Sequence, residues 1–365
     1  MNDFIIVDAH QDLAWNMLTF KRDYTMPSAE TRQREQGTLV PQVNGDTMLG
    51  WPEYQNGKVA VVFSTLFATP TRHKMGEWDQ LCYANPDEAH QLYSQQLDAY
   101  DRLVDEHPEK FRKIEKLSDL QSILEHWKSD SYNEHPIGLV TLMEGAEGVR
   151  EPGDLEQWYR RGVRIIGPAW AGTRFCGGTG EPGPLTKEGY ALLERMAKFH
   201  FTLDLSHMDE KASLQALDTY SGKIIVSHGN ALTLLKGSSS NRHLTDRLIQ
   251  GLLERDGTIG IVPANSFLRP DWKDVGGRSS VSLEYYVAQI DYICQMAGNA
   301  FHVGIGSDFD GGFGLQSMPG EVDTIADLRK VIPILSQKGY TDVDISAILG
   351  GNWLVHLQNT LPEDL

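Results

Sequence analysis

The sequence predicts a (β/α)8 TIM barrel. Three observations carry this: eight short apolar or β-branched runs, amphipathic stretches between most of them, and a length of 365 residues without a low-complexity segment, Pro/Ser linker or repeat to mark a domain boundary. Right-handed helical crossovers between such strands close them into one domain, residues 1–365. A doubly wound open sheet is the rival arrangement.

The runs, each taken with the residue that ends it, are Phe4–Asp8, Val59–Leu66, Ile137–Met143, Val163–Pro168, Phe201–Leu205, Lys223–Ser227, Thr258–Val262 and Phe301–Gly306. Helical periodicity is expected over Asp87–Glu106, Leu117–Trp127, Thr186–Phe199, Met208–Leu217, Leu244–Arg255 and Leu283–Ala297, with a last pair at Val322–Lys338 and Val343–Leu357. Residues 20–57 form a long, weakly periodic insertion after the first run. Long loops of this kind are more often functional than idle, and we read it as a lid.

Composition narrows the partners. With 33 lysines and arginines against 50 acidic residues, the net charge of -17 argues against a nucleic acid or an anionic membrane. Apolar stretches such as Val59–Ala68 fall well short of the roughly 20 residues of a membrane helix. Cys82, Cys176 and Cys294 are an odd, widely separated set without CxxC spacing, which suits reduced thiols. No basic, then apolar, leader precedes Asp8, so a cytoplasmic location is expected.

Barrel chemistry collects at the C-terminal ends of the strands. The first run ends in DAHQD, the third in LMEG, the fifth in DLSH, the sixth in VSHG and the eighth in GIGSDFDG. These place His10 and Asp12, Glu144, His207, His228, and Asp308 with Asp310 at one end of the barrel. Each has an ordinary explanation when taken alone. Asp12 suits a helix cap before Leu13, Asp308 with Gly311 and Gly312 suits a plain turn, and a lone histidine is usually a surface or hydrogen-bonded residue, as we take His73, His90, His107, His126 and His135 to be. Independent roles of that kind do not explain why ligand-type residues gather at the ends of five strands.

Geometry gives them a shared task. His10 and Asp12, two apart on an extended chain, point to one side and reach one metal ion; His207 and His228, from neighbouring strands, reach a second. Glu144, with two oxygens, bridges them. A nitrogen and oxygen donor set without thiolate suits zinc first, then manganese, iron or cobalt. Two such ions acidify a shared water and polarise a carbonyl, the equipment of metal-assisted hydrolysis, and Asp308 would take the water proton and pass it to the leaving amine. Asp8 is read as a carboxylate that orients His10 or Asp12 from behind. Lys223, at the opposite end of its strand, is no bridge.

In its order of motifs, DAHQDLAW at 8–15, LMEGAEG at 142–148, LTKEG at 185–189, LDLSHM at 203–208, VSHGNA at 226–231, NRHLTD at 241–246, HVGIGSDFDG at 302–311 and GGNWL at 350–354, the chain resembles the membrane (renal) dipeptidases, the M19 peptidases of the amidohydrolase superfamily. The resemblance spans nearly the whole chain. It implies a barrel with two zinc ions, one held by His10, Asp12 and Glu144 and the other by Glu144, His207 and His228, with Asp308 as proton shuttle. It further implies that Arg242 holds the substrate's terminal carboxylate, a role the planar guanidinium suits. The implied substrates are dipeptides, L-D as well as L-L, and the implied assembly is a homodimer.

Two departures stand out. Where the family carries a histidine after the fourth strand, this chain reads GPAWAGT and places Trp170, which either offers a single indole N–H donor or packs the pocket wall. The family's GVEGGH is here LMEGAEG, with Glu144 and Glu147 as alternatives; alternation with Val140 and Leu142, and the family pattern, favour Glu144. Trp170 and the insertion also admit a related hydrolase acting on another amide, an N-acyl amino acid or a lactone. A catalytically silent, ligand-binding barrel should have lost a ligand or the proton acceptor, and none is lost.

Overall fold

A computed structural model describes residues 4–129, 131 and 134–363. The extreme ends of the 1–365 span, including the last two residues of the acidic tail, lie outside the described residues.

Eight parallel strands form the barrel: β1 Ile6–Gln11, β2 Val59–Leu66, β3 Ile137–Glu144, β4 Val163–Gly167, β5 Thr202–Asp204, β6 Ile224–Val226, β7 Thr258–Ile261 and β8 Val303–Ile305. Each pairs with the next in sequence, and β8 pairs with β1, with Asp8 opposite Ile305. The longest seam joins β2 to β3 from Val61–Gly138 to Leu66–Met143. Nearly every strand side chain is buried, as expected of a parallel sheet covered outside by helices and filled inside by Val, Ile and Leu. The open sheet is thereby set aside.

The expected strands are all present, but β1 begins and ends later than its apolar run suggests and continues through His10 to Gln11. The helices between strands also follow the sequence closely; Pro86–Glu106, for instance, is capped by Asn85, whose side chain accepts from the Glu88 N–H. The last two expected helices are broken up. Val322–Lys338 resolves into a 3-10 turn, Ile325–Lys330, and a helix, Val331–Gln337, while the final stretch passes through a π turn at Ala347–Gly351 before the helix Asn352–Thr360. That helix closes the bottom of the barrel. Asn352 donates to the carbonyls of Ala300 and Val303, and the Trp353 indole to that of Ile305.

Glycine is demanded where strands meet below the site. A Cβ on Gly260 or Gly306 would lie 1.9 or 2.0 Å from the Ser227 carbonyl oxygen. That close approach packs the end of β6, just before His228, against β7 and the turn after β8.

The 20–57 segment is not a lid. It folds into three short helices, Ser28–Glu35, Val40–Val43 and Trp51–Gly57, and none of its residues lines the cavity above the strand ends. A polar network holds it to the barrel. The fully buried Asp310 receives Arg22 Nη1 at 3.0 Å, Tyr24 Oη at 3.0 Å, Thr47 Oγ1 at 2.5 Å and the Met48 N–H at 3.1 Å. A hairpin, Cys176–Gly178 with Glu181–Leu185, lies beside the site instead.

Candidate metal centre

His10 still belongs to β1, and Asp12 stands at the start of the helix Leu13–Thr19. His10 Nε2 lies 3.9 Å from Asp12 Oδ2, 3.5 Å from Glu144 Oε2 and 3.8 Å from Asp308 Oδ1. The other oxygen of Glu144, Oε1, is 3.0 Å from His207 Nε2 and 3.5 Å from His228 Nε2. Glu144, the last residue of β3, thus turns one oxygen to each histidine set. In each of the triplets His10/Asp12/Glu144 and Glu144/His207/His228, the ligand atoms lie within 4.8 Å of one another, as they do in His10/His228/Asp308.

The ordinary explanations fare unevenly. Asp12 does precede a helix, but its side chain makes no capping bond; its carboxylate accepts from the Thr65 hydroxyl. Asp308 does sit in a turn, at a left-handed φ of 55°, yet its N–H is bonded to the His10 carbonyl at 3.2 Å and its carboxylate faces the His10 ring. Glu147 points away, with its carboxylate held by Arg174 through the main-chain N–H at 2.8 Å and Nη1 at 2.9 Å.

The site is short of positive charge. Burial drives the Asp308 carboxyl well above its usual range and Asp12 up to about 6, with the neighbouring carboxylates adding to the effect. Burial would raise Glu144 too, but His10 and His207 hold it down. Burial works to lower His10, yet Glu144, Asp12 and Asp308 keep it at about 10; His207 is lowered to about 4 by burial and Arg242, and burial pushes His228 well below the histidine range. Three buried carboxyl groups crowd the His10 imidazolium and the Arg242 guanidinium, while His10 Nε2 is buried without a hydrogen-bond partner and two imidazole Nε2 atoms lie 3.0 Å apart. Divalent cations resolve both problems. The nitrogen and oxygen donors of these residues fit a divalent metal ion.

The residues behind the ligands differ from expectation. Asp8 does not orient His10 or Asp12. Its carboxylate accepts from the Ser307 N–H at 2.7 Å, Ser307 Oγ at 2.5 Å and Gln11 Nε2 at 2.6 Å, so it ties β1 to the turn after β8. The orienting carboxylate is Asp204, at the end of β5. It accepts the Ser227 hydroxyl at 2.6 Å, which leaves Ser227 Oγ to accept from His228 Nδ1 at 2.9 Å. That fixes the tautomer whose Nε2 lone pair faces Glu144. Thr179, on the hairpin, lies 3.0 Å from His207 Nδ1.

Above the cluster is a cavity of about 290 Å³ that includes Arg242 and Trp170 in its lining. Arg242 is buried and donates from Nη2 to the His228 carbonyl at 2.9 Å, while its Nε and Nη1 are buried without partners. The half-buried Trp170 ring lies 5.2 Å from Phe67 and 6.2 Å from His207.

Comparison with known proteins agrees with this architecture. The profile of the membrane dipeptidases, peptidase family M19, matches residues 1–360. An uncharacterised protein from Klebsiella pneumoniae, encoded in the pqqA 5' region, is 34% identical over 234 residues, 61% of this chain and 82% of its own length. Dipeptidase aclJ of Aspergillus oryzae is 23% identical over 364 residues, 96% of this chain and 76% of its own. A Rhodobacter sphaeroides metallo peptidase, solved with a phosphinate mimic of the dipeptide L-Ala-D-Ala, superposes with a TM-score of 0.78 at 21% identity, covering 98% of this chain and 100% of its own, and shares the fold. The chain belongs to the membrane dipeptidase family, peptidase family M19.

Proposed function

We propose that the protein is a binuclear zinc-dependent hydrolase that cleaves the amide bond of dipeptides, L-D as well as L-L. The observation that carries this reading is the pair of ligand triplets sharing Glu144 beside a buried guanidinium with two unpartnered donors. Metal ions held by His10, Asp12, Glu144, His207 and His228 would acidify a bound water and polarise the scissile carbonyl.

The chain's own residues do the rest. The buried Arg242 guanidinium, with Nε and Nη1 unpartnered, offers charge-assisted N–H donors to the substrate's terminal carboxylate, and those bonds orient the dipeptide along the cavity. Asp308 accepts the proton of the attacking water and returns it to the leaving nitrogen as the new C–O bond forms and the C–N bond breaks. Asp204 and Ser227 hold His228 in its ligating tautomer. Three free cysteines, two of them buried, support a compartment that keeps thiols reduced, the cytoplasm.

Metal analysis of protein purified without chelator, followed by assay on dipeptides, N-acyl amino acids and lactones, tests the reading. We expect close to two divalent ions per chain and turnover of dipeptides. Absence of bound metal, with no dipeptide hydrolysis restored by zinc or manganese, overturns it. An N-acyl amino acid carries the same carboxylate for Arg242 but no free amine, so a preference for it redirects the reading to an acylamino-acid hydrolase.

A further inference from the structure

The two ends of the cavity differ in chemistry. Arg242 marks one end. It is bonded to the His228 carbonyl, and its guanidinium carbon lies 5.2 Å from the centre of the Phe267 ring. On the proposed reading, with a terminal carboxylate on Arg242 and the scissile carbonyl at the ligand cluster around Glu144, the N-terminal residue extends away from Arg242 into the part of the same cavity lined by Asp12 and its neighbours.

That side is aromatic. Trp15 stands in the helix that starts directly after Asp12, and Phe67 follows β2, whose Thr65 hydroxyl bonds the Asp12 carboxylate. Trp15 and Phe67 are 6.2 Å apart, and Trp170, 5.2 Å beyond Phe67, carries the wall round to His207. These rings are not an extension of the barrel core. Trp15, Phe67 and Leu81 form a hydrophobic cluster of their own, with Trp170 packed against it, and the three aromatics line the cavity.

The wall is also held in place. Trp15 packs edge-on against Phe20 at 5.4 Å and Trp78 at 6.2 Å. Gln96 is clamped to both main-chain groups of Phe67, accepting from its N–H at 2.9 Å and donating to its carbonyl at 2.5 Å. The Trp170 carbonyl accepts from the Thr179 N–H at 2.9 Å, which ties this ring to the hairpin that contacts His207. Among the described residues lining the cavity, Arg242 is the one lysine or arginine, so an acidic side chain at this end has no cationic partner.

We propose that Trp15, Phe67 and Trp170 bind the side chain of the substrate's N-terminal residue, and that the protein selects dipeptides whose N-terminal residue is aromatic or large and apolar. This rests on the dipeptidase reading and on Arg242 as the donor to the terminal carboxylate. Apolar surface on the substrate is removed from water against rings already ordered, so little is lost to their immobilisation. Trp170 lines the cavity between Phe67 and His207, so its place there is that of a specificity determinant.

The test uses the zinc-reconstituted full chain with a panel that holds the C-terminal residue as alanine and varies the N-terminal one: Phe-Ala, Leu-Ala, Ala-Ala and Glu-Ala, beside the reversed Ala-Phe. We expect kcat/KM for Phe-Ala and Leu-Ala to exceed that for Ala-Ala by roughly 10- to 100-fold, with Glu-Ala below Ala-Ala. The ratio of Phe-Ala to Ala-Ala should fall about tenfold in Trp170→Ala and, independently, in Phe67→Ala. Turnover of dipeptides with a flat preference at the N-terminal position, or with preference set by the C-terminal residue, overturns this inference and leaves the dipeptidase reading intact. No turnover of any dipeptide overturns both.

Discussion

Arg22 and Asp310 form a buried ion pair, Nη1 to Oδ2 at 3.0 Å, that joins the segment after the first helix to the turn carrying Asp308. Arg22 is held on its far side by Glu35 through Nε at 2.8 Å and Nη2 at 3.0 Å. Asn16 links the two halves of the site, donating to the Asp12 carbonyl at 2.9 Å and to the Asp310 carbonyl at 2.8 Å. Asp310→Ala leaves the buried Arg22 charge with Glu35 as its one remaining carboxylate partner, and we expect a loss of about 3–5 kcal/mol in denaturant unfolding. A loss below about 1 kcal/mol, the range of an exposed pair, would show that the network does not brace this turn.

Arg242 acts through geometry as well as charge. Arg242→Met should raise KM for dipeptides and lower kcat/KM by roughly 10- to 100-fold, the size expected for charge-assisted hydrogen bonds. Arg242→Lys should rescue it poorly, because an ammonium cannot supply a planar fork. Steady-state kinetics on a dipeptide and its C-terminal amide check the assignment: the variant's penalty should largely vanish on the amide, which has no carboxylate to lose.

Asp204 has no place among the ligands, yet it sets one of them. In Asp204→Asn the amide cannot take the Ser227 hydroxyl hydrogen in the same way, and His228 loses the arrangement that fixes its tautomer. Metal affinity should fall roughly 10- to 100-fold, as for other residues behind metal ligands. Competition against a chelator of known affinity reads this directly, and an unchanged affinity removes Asp204 from the role.

How much of this is legible in the sequence depends on which force shapes each part. The barrel strands are written in their β-branched runs because both faces are buried, and His10 with Asp12 stands out through the period of two. The hairpin carrying Thr179 and Glu181 is not legible. Its stretch CGGTGEPGPL has the glycine and proline of a loop, and its shape is fixed from outside by bonds such as Gly180 N–H to Asn241 Oδ1 at 2.9 Å and Asn241 Nδ2 to the Gly178 carbonyl at 3.0 Å. Residues 20–57 mislead for a related reason. They are anchored by the polar network of Arg22, Glu35 and Thr47 with Asp310 and by Tyr24, Met48, Leu49, Trp51 and Tyr54 in the core, positions too unevenly spaced to show a period, so they look like a free lid. Asp8 and Asp204 are each a single carboxylate at or near a strand end, and only the neighbouring strands decide which one meets the metal-site serine.

His356 supplies a pH dependence separate from the metal centre. It lies in the helix Asn352–Thr360, buried, with Nε2 3.0 Å from Thr202 Oγ1. Burial, aided by the Lys223 charge, lowers its imidazole to about 4 from the ordinary 6.5. The folded protein therefore keeps His356 neutral where the unfolded chain has begun to bind a proton. Below pH 6.5 the unfolded state takes up the extra proton, so the stability tied to a neutral His356 is complete above pH 6.5 and drains away as the pH falls towards 4, by up to about 3 kcal/mol. His356→Gln removes the titrating group. Unfolding free energies of wild type and variant, measured on the metal-free proteins from pH 7 to 4, should thus converge or cross as the pH drops, since every other titration is common to both. A difference between them that stays constant through that window would mean that His356 is protonated in the folded state as readily as in the unfolded one.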